Sequence, residues 1–147
     1  MAAIEGIDKL FNRLNRIGRN LSQVEKPLKA SGVYMLGSIE RNFKAGGRPQ
    51  RWKALAASTV KRRRRGKGQG GIKTLVDTAT MKNSHSMRVQ TDGVVIGTNA
   101  VQAKRQHFGY PGKPGRGHSR TPARPFVMIQ DEDVDAVGQI FSRHTRS

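Results

Sequence analysis

Ser86-Met87-Arg88-Val89-Gln90-Thr91-Asp92-Gly93-Val94-Val95-Ile96-Gly97-Thr98 is the stretch that decides the fold class. Its first residues alternate polar and apolar, the two-residue period of a half-buried strand. Asp92-Gly93 is a hairpin signal, because both residues tolerate the positive φ that tight turns require. Val94-Val95-Ile96-Gly97-Thr98 then makes a good returning strand, rich in β-branched side chains.

Upstream of this hairpin the period changes to that of a helix. Ile4, Ile7, Leu10, Phe11, Leu14, Ile17 and Leu21 recur every three or four residues, opposite Asp8, Lys9, Asn12, Arg13, Arg16 and Arg19. Pro27 suits a first helical position, and Leu28, Gly32, Met35, Leu36, Ile39 and Phe43 repeat the same spacing until Gly46-Gly47 stops it. Gly32, on that apolar stripe, would let another element approach closely. The helical part therefore spans residues 4–45. Arg48-Pro49-Gln50-Arg51 reads as a turn, and Trp52, Leu55 and Thr59 follow at helix-like spacing, with the lone tryptophan as a buried anchor. Residues 61–71 combine arginine, lysine and glycine, which offer nothing to bury, so a mobile basic loop is expected there.

The sheet region is expected over residues 72–129, opening with short apolar runs around Leu75-Val76. Asn99 is placed to cap a short helix over residues 100–107, ended by Phe108-Gly109. A second mobile loop, rich in glycine, proline and arginine, covers residues 110–121. Pro122-Ala123-Arg124-Pro125-Phe126 then fixes an extended approach to a last strand, Val127-Met128-Ile129, with Phe126 in the core. A C-terminal helix over residues 131–143 carries Val134, Val137, Ile140 and Phe141. The expected architecture is α+β in a single domain, 1–147, with N-terminal helices packed on a small antiparallel β-sheet and long basic loops. Phe43, Trp52, Phe108 and Phe126 are its expected core anchors.

At 147 residues the chain has room for one core but not two of comparable size. The absence of cysteine excludes disulfides and thiolate metal sites. Glu5 and Asp8 interrupt the N-terminal apolar residues, and no apolar run approaches the roughly 18 residues of a membrane span, so neither secretion nor a membrane role is expected. The formal charge of +18 attracts polyanions and opposes self-association unless something neutralises it. Acidic residues are absent from 41 to 76 and from 93 to 130, whereas Asp131, Glu132, Asp133 and Asp135 cluster near the end. A chain basic in its middle and acidic near its end is suited to docking head to tail, as rings require. Those four acids, together with Arg116 and Arg120, are the candidate inter-subunit residues.

Catalytic and cofactor motifs fail on context. Gly66 and Gly71 have the separation of a phosphate-binding loop, but Ile72 intervenes before Lys73-Thr74 and arginines precede them in place of a buried strand. His85, His107, His118 and His144 form no close pair of the kind zinc hydrolases use. The acidic run lacks the glycine and spaced oxygens of a calcium loop and instead suits a helix N-terminus. No glycine-flanked nucleophile is present. Neither a catalytic residue, a metal nor another cofactor is expected. Lys61, Arg62, Arg63, Arg64, Arg65 and Lys67 have two readings: contact with a polyanion, either DNA phosphates without sequence readout or an acidic protein ring, or a solvated loop that improves solubility. Aromatic interleaving for base stacking is missing from this run.

Several motifs occur in order: Phe43 with Gly46-Gly47-Arg48-Pro49, then Trp52-Lys53-Ala54-Leu55, then Thr59 and the basic run. They continue with residues 75–84, Gly97-Thr98-Asn99, Gln106-His107-Phe108-Gly109 and Pro122-Ala123-Arg124-Pro125-Phe126. This set resembles the phage virion morphogenesis family, the tail-completion proteins of Mu-like tailed phages, over roughly residues 28 to 141. Two places depart from it. The family usually has Asp-Thr-Gly-x-Leu where this chain has Asp77-Thr78-Ala79-Thr80-Met81, so the tight turn there is expected to relax. It often has His-Gln-Phe-Gly where this chain has Gln106-His107-Phe108-Gly109. The resemblance implies a structural, non-enzymatic virion protein at the neck or upper tail, made in the host cytoplasm and present as a homo-oligomeric ring. Its implied partners are neighbouring neck and tail-tube proteins and, without sequence preference, the genomic DNA in the channel. The competing expectation from charge alone is a free, sequence-nonspecific nucleic-acid-binding protein.

Overall fold

The computed structural model describes residues 12–19, 22–64, 72–112 and 120–146, with backbone alone at residue 64. The fold is α+β, a two-stranded antiparallel sheet among helices. In chain order these are helix α1 (12–19), α2 (Glu25–Ala45), α3 (Ala57–Arg64), α4 (Thr80–Asn83), strands β1 (His85–Val89) and β2 (Val94–Thr98), α5 (Ala103–Phe108) and α6 (Asp131–Arg146).

The hairpin pairs Val89 with Val94 and His85 with Thr98, closed by a bond from Gln90 N–H to the Gly93 carbonyl. Both strands alternate between a half-buried and an exposed side chain, as one covered face requires. The cover is α2. Its crossing point is Gly32, where a Cβ would stand 2.6 Å from Met87 Sδ and 2.9 Å from Val94 Cγ1, so only glycine permits this separation. The helix ends at Gly46 in the left-handed conformation, and Gly46 N–H bonds back to the Asn42 carbonyl. α6 packs on α2 beside the hairpin. The core gathers Ile39 and Phe43 from α2 with Trp52, Leu75, Met81, Ala103 and Phe126.

Several expectations are corrected. The sheet occupies only residues 85–98 of the 72–129 region, and Leu75-Val76 lies in a turn, with Leu75 at φ 59°. Val127-Met128-Ile129 begins at a bend and forms no strand. Residues 51–56 are not helical despite the spacing of Trp52, Leu55 and Thr59; α3 begins only at Ala57. Lys61 to Arg64, expected in a loop, form the second half of α3. α2 begins two residues before Pro27, and α5 begins at Ala103 without a cap from Asn99; Thr98 Oγ1 instead accepts from Ala100 N–H. The C-terminal helix continues to Arg146. Phe43, Trp52 and Phe126 are buried, but Phe108 is not a core anchor: it is 72% exposed on α5, and the adjacent His107 takes the inward position.

Candidate assembly surfaces

The short motifs scattered along the sequence converge on the segment 122–126. Trp52 Nε1–H donates to the Pro125 carbonyl at 2.8 Å, and Asn42 Nδ2–H donates to the Phe126 carbonyl at 3.0 Å. Phe126 packs against Phe43 and, edge-on, against His107 at centroid distances of 5.5 and 4.9 Å. Arg124 is 5% exposed, and its guanidinium donates to the carbonyls of Lys53 and Ala54. Gln106 takes two bonds from Arg124: its carbonyl accepts the Arg124 N–H at 2.8 Å, and its Oε1 accepts from Nη1. His107 Nδ1 accepts the Phe126 N–H. At Gly109 a Cβ would come within 2.8 Å of Ala123 N, so the α5 terminus and this segment are pressed together. Gln106 and His107 thus have defined structural partners despite the exchanged order of their motif.

Two of these groups titrate away from their ordinary ranges. Burial pushes the His107 imidazole down, which favours the neutral ring that accepts the Phe126 N–H. Burial, and secondarily the charge of Arg63, lowers the Arg124 guanidinium, which its backbone carbonyls nevertheless hold in place.

Asp133 is a correction to the inter-subunit set. It is fully buried, accepts from Ser38 Oγ at 2.8 Å and from the Gln130 N–H at 2.9 Å, and pairs with Arg41 at 3.4 Å. The bond to Gln130 is half of a capping box, an N3 side chain returning to the N-cap amide. Arg48 adds to this lock by donating to Asn42 Oδ1, to Ser38 Oγ and to the Glu132 carboxylate. Asp131, Glu132 and Asp135 are exposed on the first turns of α6, where the helix dipole favours them.

Among the basic candidates, Lys61 and Arg62 are exposed on α3. Arg63 is not. Its side chain is only 13% exposed, donates to the carbonyls of Lys73 and Val76, and pairs with Asp77. A charge in a basic tract was thus buried after all, because three fixed acceptors satisfy it. Arg64 ends α3, while Arg65, Lys67 and Arg116 lie outside the described residues, as do most of the two expected loops. Arg120 is exposed beside the Tyr110–Thr121 bridge.

The other open surface is apolar, and sequence reasoning assigned its residues to the apolar stripes of two helices and to two strands. Leu28 and Met35 of α2, Val94 of β2, Ile129, and Val134 and Phe141 of α6 line a groove of about 500 Å³. Ile129 is 71% and Val134 59% exposed. No cluster of three or more metal-ligating side chains occurs among the described residues, and no helix among them is long and apolar enough to cross a membrane.

A family model described as the phage virion morphogenesis family matches residues 5–146. Mu-like prophage FluMu G protein 2 of Haemophilus influenzae is 28% identical over 131 residues, which cover 88% of this chain and 84% of that protein. No solved structure matches the chain.

Proposed function

Since this chain belongs to the phage virion morphogenesis family, we propose that it is a structural, non-enzymatic neck or tail-completion subunit that forms a ring at the head–tail junction around the DNA channel. The observation that carries this reading is the extent of the match, which runs from residue 5 to residue 146. A basic subunit suits a channel that passes DNA, because phosphates are attracted whatever the sequence. Lys61 and Arg62, exposed on α3, are the residues assigned to polyanion contact, with the genomic DNA as first partner and an acidic neighbouring ring as second. Arg63 is excluded from that role by its bonds within the chain.

The test is mass determination of the nuclease-treated protein, alone and mixed with tailless heads and detached tails, over a range of salt. Incorporation into particles as a fixed multiple of copies, without added DNA, is the expected result. A monomer that ignores both particles and binds any duplex in a salt-dependent way would make it a free nucleic-acid-binding protein instead. Changing Lys61→Glu and Arg62→Glu together, with Arg63 untouched, leaves the fold intact and lowers the yield of infectious particles; normal yield removes the role given to α3.

A further inference from the structure

Among the described residues, Leu14 of α1 is exposed and a groove between α2, β2 and α6 is left open. We propose that they are partners in trans, with α1 of one copy lying in the groove of the next. This rests on the self-assembly proposed above and names its joint. The lengths agree. Leu28 to Met35 on one wall and Val134 to Phe141 on the other each span two helical turns, about 10 Å. α1, residues 12–19, is about 12 Å long. Its Leu14 is 54% exposed, and with Ile17 it belongs to the spacing Leu10, Leu14, Ile17, Leu21, the seam of a helix that packs between others.

Charge selects the partner. Arg13 flanks that seam and Arg16 and Arg19 lie beyond it, whereas exposed Asp131 and Asp135 stand one turn apart on α6, close in sequence to Val134 of the groove. Of the four acidic residues at the start of α6, Glu132 and Asp133 pair with Arg48 and Arg41 of the same chain, and Asp131 and Asp135 are the two left to face a partner. A basic amphipathic helix is the occupant that fits such a groove, and another copy of the chain supplies one.

In the single copy Leu14 is 54% and Val134 59% exposed, so α1 does not fill its own groove. Pairing a stripe on one copy with a groove of different shape on the next is a heterologous contact, the kind that closes into rings.

The chain has no cysteine, so introduced thiols report contacts without background. Leu14→Cys and Val134→Cys, made separately in the full-length protein and mixed, are expected to give a covalent dimer on oxidation, and the double variant a ladder of covalent oligomers. If the double variant instead closes into a monomeric loop, its own α1 fills the groove and the exchange is wrong. Oligomers of unchanged mass with no cross-link overturn the exchange alone and leave the ring reading standing. A protein that stays monomeric by itself and on particles overturns both. Leu14→Glu supplies a second readout: self-association weakens roughly tenfold or more, with an unchanged far-ultraviolet circular dichroism spectrum because the side chain is exposed in the single copy. Undiminished association of that variant contradicts the proposal.

Discussion

The two sides of α2 are built differently. Towards Phe126, the side chains of Asn42, Trp52 and Arg124 donate to backbone carbonyls, and the rings of Trp52, His85 and His107 pack around the Phe43–Phe126 pair. Towards Val134 the same helix borders a groove of partly covered apolar side chains, of which Ile129 and Val134 are more than half exposed. One side is closed. The other has the composition of an interior without its closure, which is why the proposed joint is placed there. The lesson concerns the family motifs: those recognisable in the sequence belong mainly to the closed side, where they fix the fold, and the surface suited to assembly carries few of them.

The largest expected effect breaks the closed side. Phe126→Ala removes a side chain 2% exposed and leaves a cavity among Phe43, His85 and His107, at a cost of about 3–5 kcal/mol. That is a large share of a small domain's stability. Ile129→Ser on the open side, by contrast, should change stability by under about 0.5 kcal/mol. Thermal unfolding of the two variants beside the parent measures the contrast, and equal losses would mean that the groove is as much a part of the core as Phe126.

What the sequence could disclose follows the same division. Periodicity sufficed for the hairpin, for α2 with its stop at Gly46 and for α6, because each keeps its apolar side chains on one face at a regular spacing. It failed where tertiary hydrogen bonds replaced local ones. Residues 51–56 have helical spacing but lend the carbonyls of Lys53 and Ala54 to Arg124, and Trp52 is turned towards Pro125. Val127 to Ile129 read as a strand because short apolar runs fit several structures, and nothing local says that no strand lies beside them. Asp133 and Arg63 looked like solvated charge in charged neighbourhoods. Their burial depends on partners distant in sequence, Ser38 and Arg41 for the first and Lys73 to Asp77 for the second. Phe108 and His107 are adjacent, and only the rotation of a six-residue helix decides which of them points inward.

A smaller effect sharpens the comparison from within the closed side. The His107 ring accepts the Phe126 N–H at 3.4 Å, which only the neutral form can do, and burial holds its folded pKa below the usual 6.5. With the folded value depressed, the unfolded chain takes up the proton first as the pH falls. Stability is therefore full above about pH 6.5 and declines below it until the folded ring is protonated too. Leaving the Phe126 N–H without an acceptor costs about 1 kcal/mol, the low end for a bond this long. His107→Asn keeps an acceptor and removes the titration, so its unfolding midpoint should fall less than the parent's between pH 7 and pH 5. Parallel pH profiles would show that His107 does not govern this dependence.

The smallest effect is a gain, and it lies where the chain departs from its family. A relaxed turn was the expectation at residue 79, where the family usually has glycine. The structure keeps the turn: Ala79 has φ 60° and ψ −2°, in the left-handed region, as the residue before α4. Its carbonyl accepts the Asn83 N–H at 3.0 Å, and Met81, two residues on, is a core residue at 5% exposure, so the turn sets where α4 meets the core. A left-handed alanine costs about 1–2 kcal/mol in steric strain. Glycine would lift that strain and suits a helix N-cap better than alanine, but loses about 0.5–1 kcal/mol more conformational entropy on folding. The difference leaves Ala79→Gly more stable by roughly 0.5 kcal/mol, a rise of a few degrees or less in Tm for a chain of this size. No change in assembly is expected, because residue 79 belongs to neither open surface. A lower Tm would mean that the surrounding packing, and not the backbone preference of residue 79, holds this turn in place.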